Sequence, residues 1–287
     1  MTDDEHHYLV VAGAEAVKPA RSAHFSSLKG LNVMKPTGNT IFITGGTSGI
    51  GRALAEAFAR QGNQVIIAGR RKGLLDDIAK GTPGIDTVEL DITNADQIKA
   101  VAAEVIQRHP SLNVVINNAG IMPFDDPASG ELDDAAAMHL LNTNLLGPVR
   151  VSAAFIEHLK AQPDAYLINN SSILAYVPLA ATALYSATKA AIHSYTLSQR
   201  FALRGTTVNV LEIAPPWVDT DLIHKSGDPR AMPLDDFIRE TLEKLQTANT
   251  EVLVDRVIAF RDNPGLNEHA LVNQFNQAVF DDPIPVA

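Results

Sequence analysis

Tyr185 and Lys189 stand four residues apart in Tyr185-Ser186-Ala187-Thr188-Lys189. On a helix that spacing puts both side chains on one face, a turn apart. A phenol titrates at about pH 10, and a neighbouring ammonium favours the phenolate and lowers that value. Such a pair can donate and accept a proton near neutral pH. The pattern is short and recurs by chance, so its weight depends on its company. Upstream, Thr44-Gly45-Gly46-Thr47-Ser48-Gly49-Ile50-Gly51 reads T-G-x-x-x-G-x-G. It follows the β-like run Thr40-Ile41-Phe42-Ile43 and opens a helical pattern with Ile50, Leu54, Ala57 and Phe58 on one face. Glycines let the backbone approach a pyrophosphate, and a helix N-terminus supplies free N–H groups and a favourable dipole. An ordinary Gly-rich turn is the plainer reading, and the strand-turn-helix context argues against it.

Between these motifs lie Asn117-Asn118-Ala119-Gly120, after Val114-Val115-Ile116, and Ser171-Ser172, after Tyr166-Leu167-Ile168-Asn169. Ser172 precedes Tyr185 by thirteen residues. At this point the chain resembles the short-chain dehydrogenase/reductase family. The resemblance is carried by Thr44, Gly45, Gly49, Ile50, Gly51, Asp91, Asn117 to Gly120, Asn144, Ser172, Tyr185 and Lys189, in the family's order and near its spacings. It covers roughly residues 35–220, and the ordered set counts for more than any one motif.

The resemblance implies an NAD(P)-dependent oxidoreductase that moves a hydride between a nicotinamide cofactor and a carbonyl or alcohol substrate. Tyr185 would be the acid or base. Lys189 would lower the phenol and hold the nicotinamide ribose. Ser172 would donate to the substrate oxygen as charge develops on it, with Ser171 as its rival. Asn144, in Asn144-Leu145-Leu146-Gly147, would support a water in a proton relay; its plainer role is a helix kink or cap. Gly45, Thr47, Ser48, Gly49, Ile50 and Gly51 would hold the pyrophosphate. Asp91 and Ile92 would meet adenine; the alternative for Asp91 is the cap of the next helix, a job Asn94 can also take. Asn118, Ala119 and Gly120 would line the adenine ribose, and Val218 and Thr220 the carboxamide.

The second strand ends Ile66-Ile67-Ala68-Gly69-Arg70-Arg71. NAD-binding relatives usually carry a carboxylate where Gly69 stands, whereas a guanidinium suits a 2′-phosphate. NADP(H) is therefore favoured, with Arg70 as the candidate phosphate ligand and Arg71 assisting; NAD(H) is the alternative. Two features depart from the family. Pro216 replaces a glycine in Pro215-Pro216-Trp217-Val218-Asp219-Thr220, which excludes a positive φ there, and Trp217 becomes a candidate pocket wall. The end from Gln274 lacks the family's Gly-rich closing strand.

The chain has 287 residues, 46% of them hydrophobic, and a net charge of −10. That balance argues against nucleic acid or an anionic membrane as main partner; the small-molecule carbonyl or alcohol substrate is what the resemblance implies. With no cysteine, thiol chemistry is excluded. No His or acidic spacing suggests a metal site. No apolar run approaches the ~20 residues of a membrane span, so a soluble, cytoplasmic protein is expected. The resemblance also implies a homodimer or homotetramer, paired through helices over 133–160 and 183–204. A dinucleotide-binding regulator without catalysis, or a cofactor-dependent epimerase or isomerase, are the rival functions.

Strand-like runs at 40–44, 64–68, 87–90, 113–116, 165–169 and 207–213 alternate with helical patterns at 50–61, 94–108, 133–160 and 183–204. That alternation predicts an α/β fold: a doubly wound parallel β-sheet with helices on both faces, a Rossmann fold, with strand order 3-2-1-4-5-6 and its ligand at the carboxyl ends. Residues 1–34 fall outside the family pattern and read as a loosely ordered extension. Residues 35–287 read as one domain. Amphipathic patterns at 234–245 and 251–261 supply helices that either cover the cleft or pack as ordinary core.

Overall fold

The computed structural model describes residues 33–248, 250–262 and 268–282. The apolar runs become β1 (Thr40–Thr44), β2 (Gln64–Gly69), β3 (Ile85–Glu89), β4 (Val114–Asn117), β5 (Ala165–Asn170), β6 (Val208–Ile213) and β7 (Glu251–Val252). All pair in parallel, in the order β3-β2-β1-β4-β5-β6-β7. This is the expected order with one added edge strand. β1 is buried at every position because helices cover both faces, so it reads as a continuous apolar run rather than an alternating one.

The helices are α1 (Gly49–Arg60), α2 (Lys72–Gly81), α3 (Ala95–Arg108), α4 (Asp134–Leu141), α5 (Gly147–Ala161), α6 (Ala183–Ala202), α7 (Leu234–Leu245), α8 (Asp255–Arg261) and α9 (Glu268–Asp281). Leu54 and Phe58 of α1 and Phe237 and Ile238 of α7 pack with Ile41 and Ile43 on one face of the sheet. Ile98 and Val105 of α3 and Val151 and Phe155 of α5 pack with Phe42 and Val115 on the other. Alternate residues of β1 thus feed opposite cores. β1 has β2 on one side and β4 on the other, so the connections diverge there and open a crevice at the carboxyl ends.

The structure corrects three element assignments. The helix expected over 133–160 is broken by a π-helical stretch, Asn142–Leu146, between α4 and α5. Pro148 has no N–H to give the Asn144 carbonyl, and Gly147 N–H reaches back to Asn142 instead. The helix expected from 251 starts only at Asp255, because Glu251 and Val252 first pair with Glu212 and Ile213 at the sheet edge. α2 was absent from the sequence pattern; it buries only Leu75 and Ile78 and carries Gly73 and Gly81, a weak helical signal. In the segments 234–245 and 251–261, Phe237, Ile238 and Val257 are core. The extension over 1–34 lies outside the described residues except for Val33 and Met34; Met34 is buried in the core. Among the described residues no helix is long and apolar enough to cross a membrane.

The amino ends of β1, β2 and β4 are joined by three asparagines. Asn63 Oδ1 accepts from Asn39 N and from Asn39 Nδ2, both at 3.0 Å, and Asn63 Nδ2 donates to the carbonyls of Pro36 and Phe58. Asn113 Oδ1 accepts from Thr40 N at 3.0 Å, and its Nδ2 donates to Asn39 Oδ1 and Asp164 O. Asn63→Ala leaves the Asn39 N–H without its partner and removes three further bonds, while Phe58 O keeps the N–H groups of Gln61 and Asn63 and Asn39 Nδ2 keeps Lys35 O; a buried group left unpaired costs about 1–3 kcal/mol. Urea unfolding of the variant should show a loss of about 2–4 kcal/mol; a loss below about 1 kcal/mol would mean water replaces the asparagine.

Candidate active site

β1 delivers the Gly-rich turn to the crevice. Gly45 and Gly46 N–H donate to Ala68 O at 2.8 and 3.1 Å, so β2 holds the turn from one side. Gly45 has φ +70, and a Cβ there would lie 2.8 Å from Ala119 Cα. A Cβ on Gly51 would overlap the Asn118 amide and the Gly45 carbonyl. Only glycine fits either position. Thr44 Oγ accepts from Asn118 N at 3.0 Å and Ala119 N at 3.1 Å. Asn118 Nδ2 donates to Thr44 O at 3.1 Å, and Asn118 Oδ1 accepts from Asn170 Nδ2 at 2.8 Å. The ends of β1, β4 and β5 are thereby tied together. Ser48 precedes α1 without a side-chain capping bond, so the first N–H groups of the helix are left for an anion.

Arg71, not Arg70, is anchored on the turn. Its Nη2 donates to Thr47 Oγ at 2.7 Å and to Ser48 Oγ at 2.8 Å. Arg70 also faces the crevice, and its charge helps to lower Asp91, whose carboxylate is held down chiefly by the Thr93 N–H. Asn94, rather than Asp91, caps α3, accepting from Asp96 N and Gln97 N. Asp91 instead accepts from Thr93 N at 2.9 Å and closes the turn after β3.

α6 carries Tyr185 and Lys189, each 5% exposed. Burial pushes the Tyr185 phenol up, and a hydrogen bond with Ser172 opposes it. Lys189 Nζ lies 5.5 Å from the ring centroid and donates to Asn170 O at 2.9 Å. The expectation that Lys189 sets the phenol is thus modified: burial dominates the phenol, and burial also pushes Lys189 down to about 8, with Glu212 opposing. The two serines are separated by their bonds. Ser171 Oγ donates to Glu212 Oε1 at 2.5 Å, whereas Ser172 is the one beside Tyr185. Asn144 lies in the π-helical stretch. Its Oδ1 accepts from Ile121 N and its Nδ2 donates to Ile121 O, both at 2.9 Å, with a further bond to Thr188 Oγ at 3.3 Å.

Of the site residues expected from the sequence, all but Gly51 and Asn144 line one cavity of about 770 Å³. Those two stand behind its wall, Gly51 beneath Asn118 and Asn144 beside Gly120. Trp217 is on the wall, with Arg230 5.4 Å from its ring centroid. Thr220 lies against Gly49, and Val218 bridges to Met232.

The sequence reading missed two groups. Phe275 and Val279 of α9 line the cavity; their four-residue spacing was a helical signal, but where that helix docks was not legible. Behind Ser172, the fully buried Glu212 takes the Ser171 hydroxyl and pairs with His193 at 2.8 Å, while Glu251 pairs with Arg261 at 3.1 Å. One ligand atom from each of His193, Glu212 and Glu251 falls within 4.8 Å of the others, a grouping no sequence spacing showed. His193 follows Lys189 by four residues on the same helix face, a signal that was available.

Lys189 binds its proton less tightly folded than unfolded, since its value falls from 10.5 to about 8. Between those values the unfolded state holds more protons, so stability rises with pH. The cost of the buried ammonium is present in full below about 8. The unfolding free energy of wild type minus that of Lys189→Met should rise by on the order of 1–2 kcal/mol from about pH 8 to about pH 10. A flat difference would mean that the ammonium keeps its ordinary affinity for the proton.

The family profile described as short chain dehydrogenase matches residues 39–231. The chain is 38% identical over 248 residues to the uncharacterized oxidoreductase DltE of Bacillus subtilis, covering 85% of this chain and 98% of that one. It is 31% identical over 197 residues to sulfoacetaldehyde reductase 2 of Chromohalobacter salexigens, covering 67% of this chain and 78% of the relative. The fold matches a short chain dehydrogenase of Burkholderia cenocepacia in complex with NADP, with TM-score 0.71 and 28% identity over 84% of this chain and 98% of that one. The matched region carries the diverging parallel sheet, the Gly-rich turn and the buried Tyr185-Lys189 pair, and the chain belongs to the short-chain dehydrogenase family of oxidoreductases.

Proposed function

We propose that the protein interconverts a carbonyl compound and its alcohol with NADP(H), using Tyr185 as the proton donor in reduction and acceptor in oxidation. The observation that carries this is the placement of Tyr185 beside Ser172, with Lys189 behind it, on the wall of the cavity that begins at the Gly-rich turn. The residues present suit a dinucleotide. The turn brings glycine backbone where a Cβ would collide, the start of α1 is uncapped by a side chain, and a guanidinium stands over Thr47 and Ser48. A bound nicotinamide supplies or takes the hydride. Ser172 donates to the substrate oxygen as negative charge gathers there, and the phenol of Tyr185 gives that oxygen its proton. The high affinity of the buried phenol for its proton suits it to wait in the protonated form. Lys189 places a positive charge near the ring and steadies the phenolate left behind. The Asn144 amide is committed to Ile121 and Thr188, so we assign it the positioning of the Gly120–Ile121 backbone rather than contact with Lys189.

NADP(H) is favoured over NAD(H) because β2 ends in Gly69 without a carboxylate, and Arg70 and Arg71 follow. Arg71 is the better placed, since Thr47 and Ser48 fix its fork over the turn. A cytoplasmic homo-oligomer is the remaining part of the reading. Leu197 and Phe201 of α6 are 43% and 66% exposed, and Met138 of α4 is 53% exposed; these apolar groups suit a helix-to-helix contact with a second copy.

Tyr185→Phe removes one hydroxyl and should cut turnover by about 10²–10⁴-fold while cofactor still binds; full activity in the variant would sink the assignment. Steady-state kinetics on wild type should favour NADPH by about tenfold or more, with Arg70→Ala/Arg71→Ala erasing the preference. Equal efficiency with NADH in wild type would reduce these arginines to solvated loop charges. Light scattering at micromolar concentration should give a dimer or tetramer, and a monomer would count against the pairing.

A further inference from the structure

The polar groups that can meet a reacting oxygen are few, and the wall next to them is hydrocarbon, with charged side chains at its exposed rim. Tyr185 belongs to an apolar cluster with Leu140, Ile173, Leu174 and Leu179, onto which Ile121, Met122, Phe275 and Val279 fold as half-buried neighbours. Phe275 and Val279 come from α9, which buries no residue fully yet turns these two toward the cavity. Phe275 meets Phe260 of α8 edge to face, with centroids 6.0 Å apart. The polar residue on that face of α9, Asn276, is engaged in holding the helix down. Its Nδ2 donates to Pro178 O at 3.0 Å, and its Oδ1 accepts from Ala180 N at 2.5 Å. Asn276 thus latches α9 to the segment that leads into α6 and its Tyr185. The charged residues at the outer rim of that wall, Asp221, Arg230, Arg256 and Asp282, are solvent-exposed. Arg230 pairs with Asp228 and Asp282, and Arg256 donates to Arg230 O. Against the Ile121, Met122, Leu174, Leu179, Phe275 and Val279 side chains a charged or polyhydroxylated group would lose its hydration with no hydrogen bond in return, whereas an apolar one gains by leaving water.

We infer that the substrate is an apolar ketone or aldehyde whose hydrocarbon body lies between α9 and the Ile121–Met122 and Leu174–Leu179 walls, with Asn276 acting as the latch of the roof. This rests on the carbonyl/alcohol reading above and names the substrate class of that site.

A homologous series of 2-alkanones from butanone to nonanone, with cyclohexanone and the anionic aldehyde glyoxylate, tests it with NADPH and NADH in parallel. Burying each methylene is worth ~0.8 kcal/mol, so kcat/KM should rise about fourfold per carbon until the chamber is full. Glyoxylate should be the poorest substrate. A flat series, or a preference for glyoxylate, overturns the substrate class and leaves the oxidoreductase reading standing. No reduction of any compound by protein that binds NADPH overturns both. Phe275→Ala and Asn276→Ala should flatten the chain-length slope by raising KM for the longer ketones, with NADPH affinity from fluorescence titration as the check on folding. Variants that bind NADPH and keep the wild-type slope would remove α9 from substrate recognition.

Discussion

One hydroxyl sits where the architecture turns. Thr44 Oγ receives the N–H groups of Asn118 and Ala119 and so ties the carboxyl ends of β1 and β4 together at the place where their connections leave in opposite directions. Without it two backbone donors would face the crevice unpaired, at a cost of about 1–3 kcal/mol for each one buried. The same cross-link brings Ala119 to within 2.8 Å of where a Gly45 side chain would begin. The glycines are therefore consequences of the closure as much as of any ligand. Asn118 and Asn170 extend the tie to β5, which carries Ser171 and Ser172 at its end.

The second constraint is the burial of two titratable groups on α6. Burial raises the Tyr185 phenol and lowers Lys189, so each group is shifted toward its neutral form and the two proton affinities are pushed apart, with the proton held more tightly on the phenol. Such a pair persists in a nearly closed site only if its polar atoms are satisfied. Lys189 uses the Asn170 carbonyl, Tyr185 uses Ser172, and Glu212 opposes the loss of the Lys189 charge. Glu212 is itself held by Ser171 and His193. The adjacent serines thus divide two duties, Ser171 bracing the buried carboxylate and Ser172 meeting Tyr185.

Where the chain departs from its family it builds the outer part of the cleft. Pro215 accepts from Ile173 N, so the Pro-Pro segment locks onto the turn that follows Ser172, and Trp217 is presented to the cavity. The C-terminal end forms a helix where relatives were expected to place a closing strand. Such a helix can present an apolar face to the cavity while keeping its backbone bonds internal; an exposed strand edge there would leave backbone groups unpaired.

The sequence by itself determined the alternation of strands and helices, the strand order β3-β2-β1-β4-β5-β6 and the Gly-rich turn, and it nominated Asn144, Tyr185, Lys189 and Ser172, with Ser171 as rival, as a group, because these depend on local periodicity and on the ordered spacing of a family. Its boundaries failed where long-range terms win: the π-helical break that Pro148 imposes, the edge strand Glu251–Val252, and the weakly apolar α2. Only the tertiary structure decided which of two serines faces Tyr185, which of two arginines lies on the turn, and that Gly51 and Asn144 brace the cavity from behind. Adjacent residues on a strand end or loop point in different directions, and composition cannot say which. It alone seated Phe275 and Val279 over the crevice and brought His193, Glu212 and Glu251 together, since residues so far apart in the chain meet only through the packing of the elements that carry them.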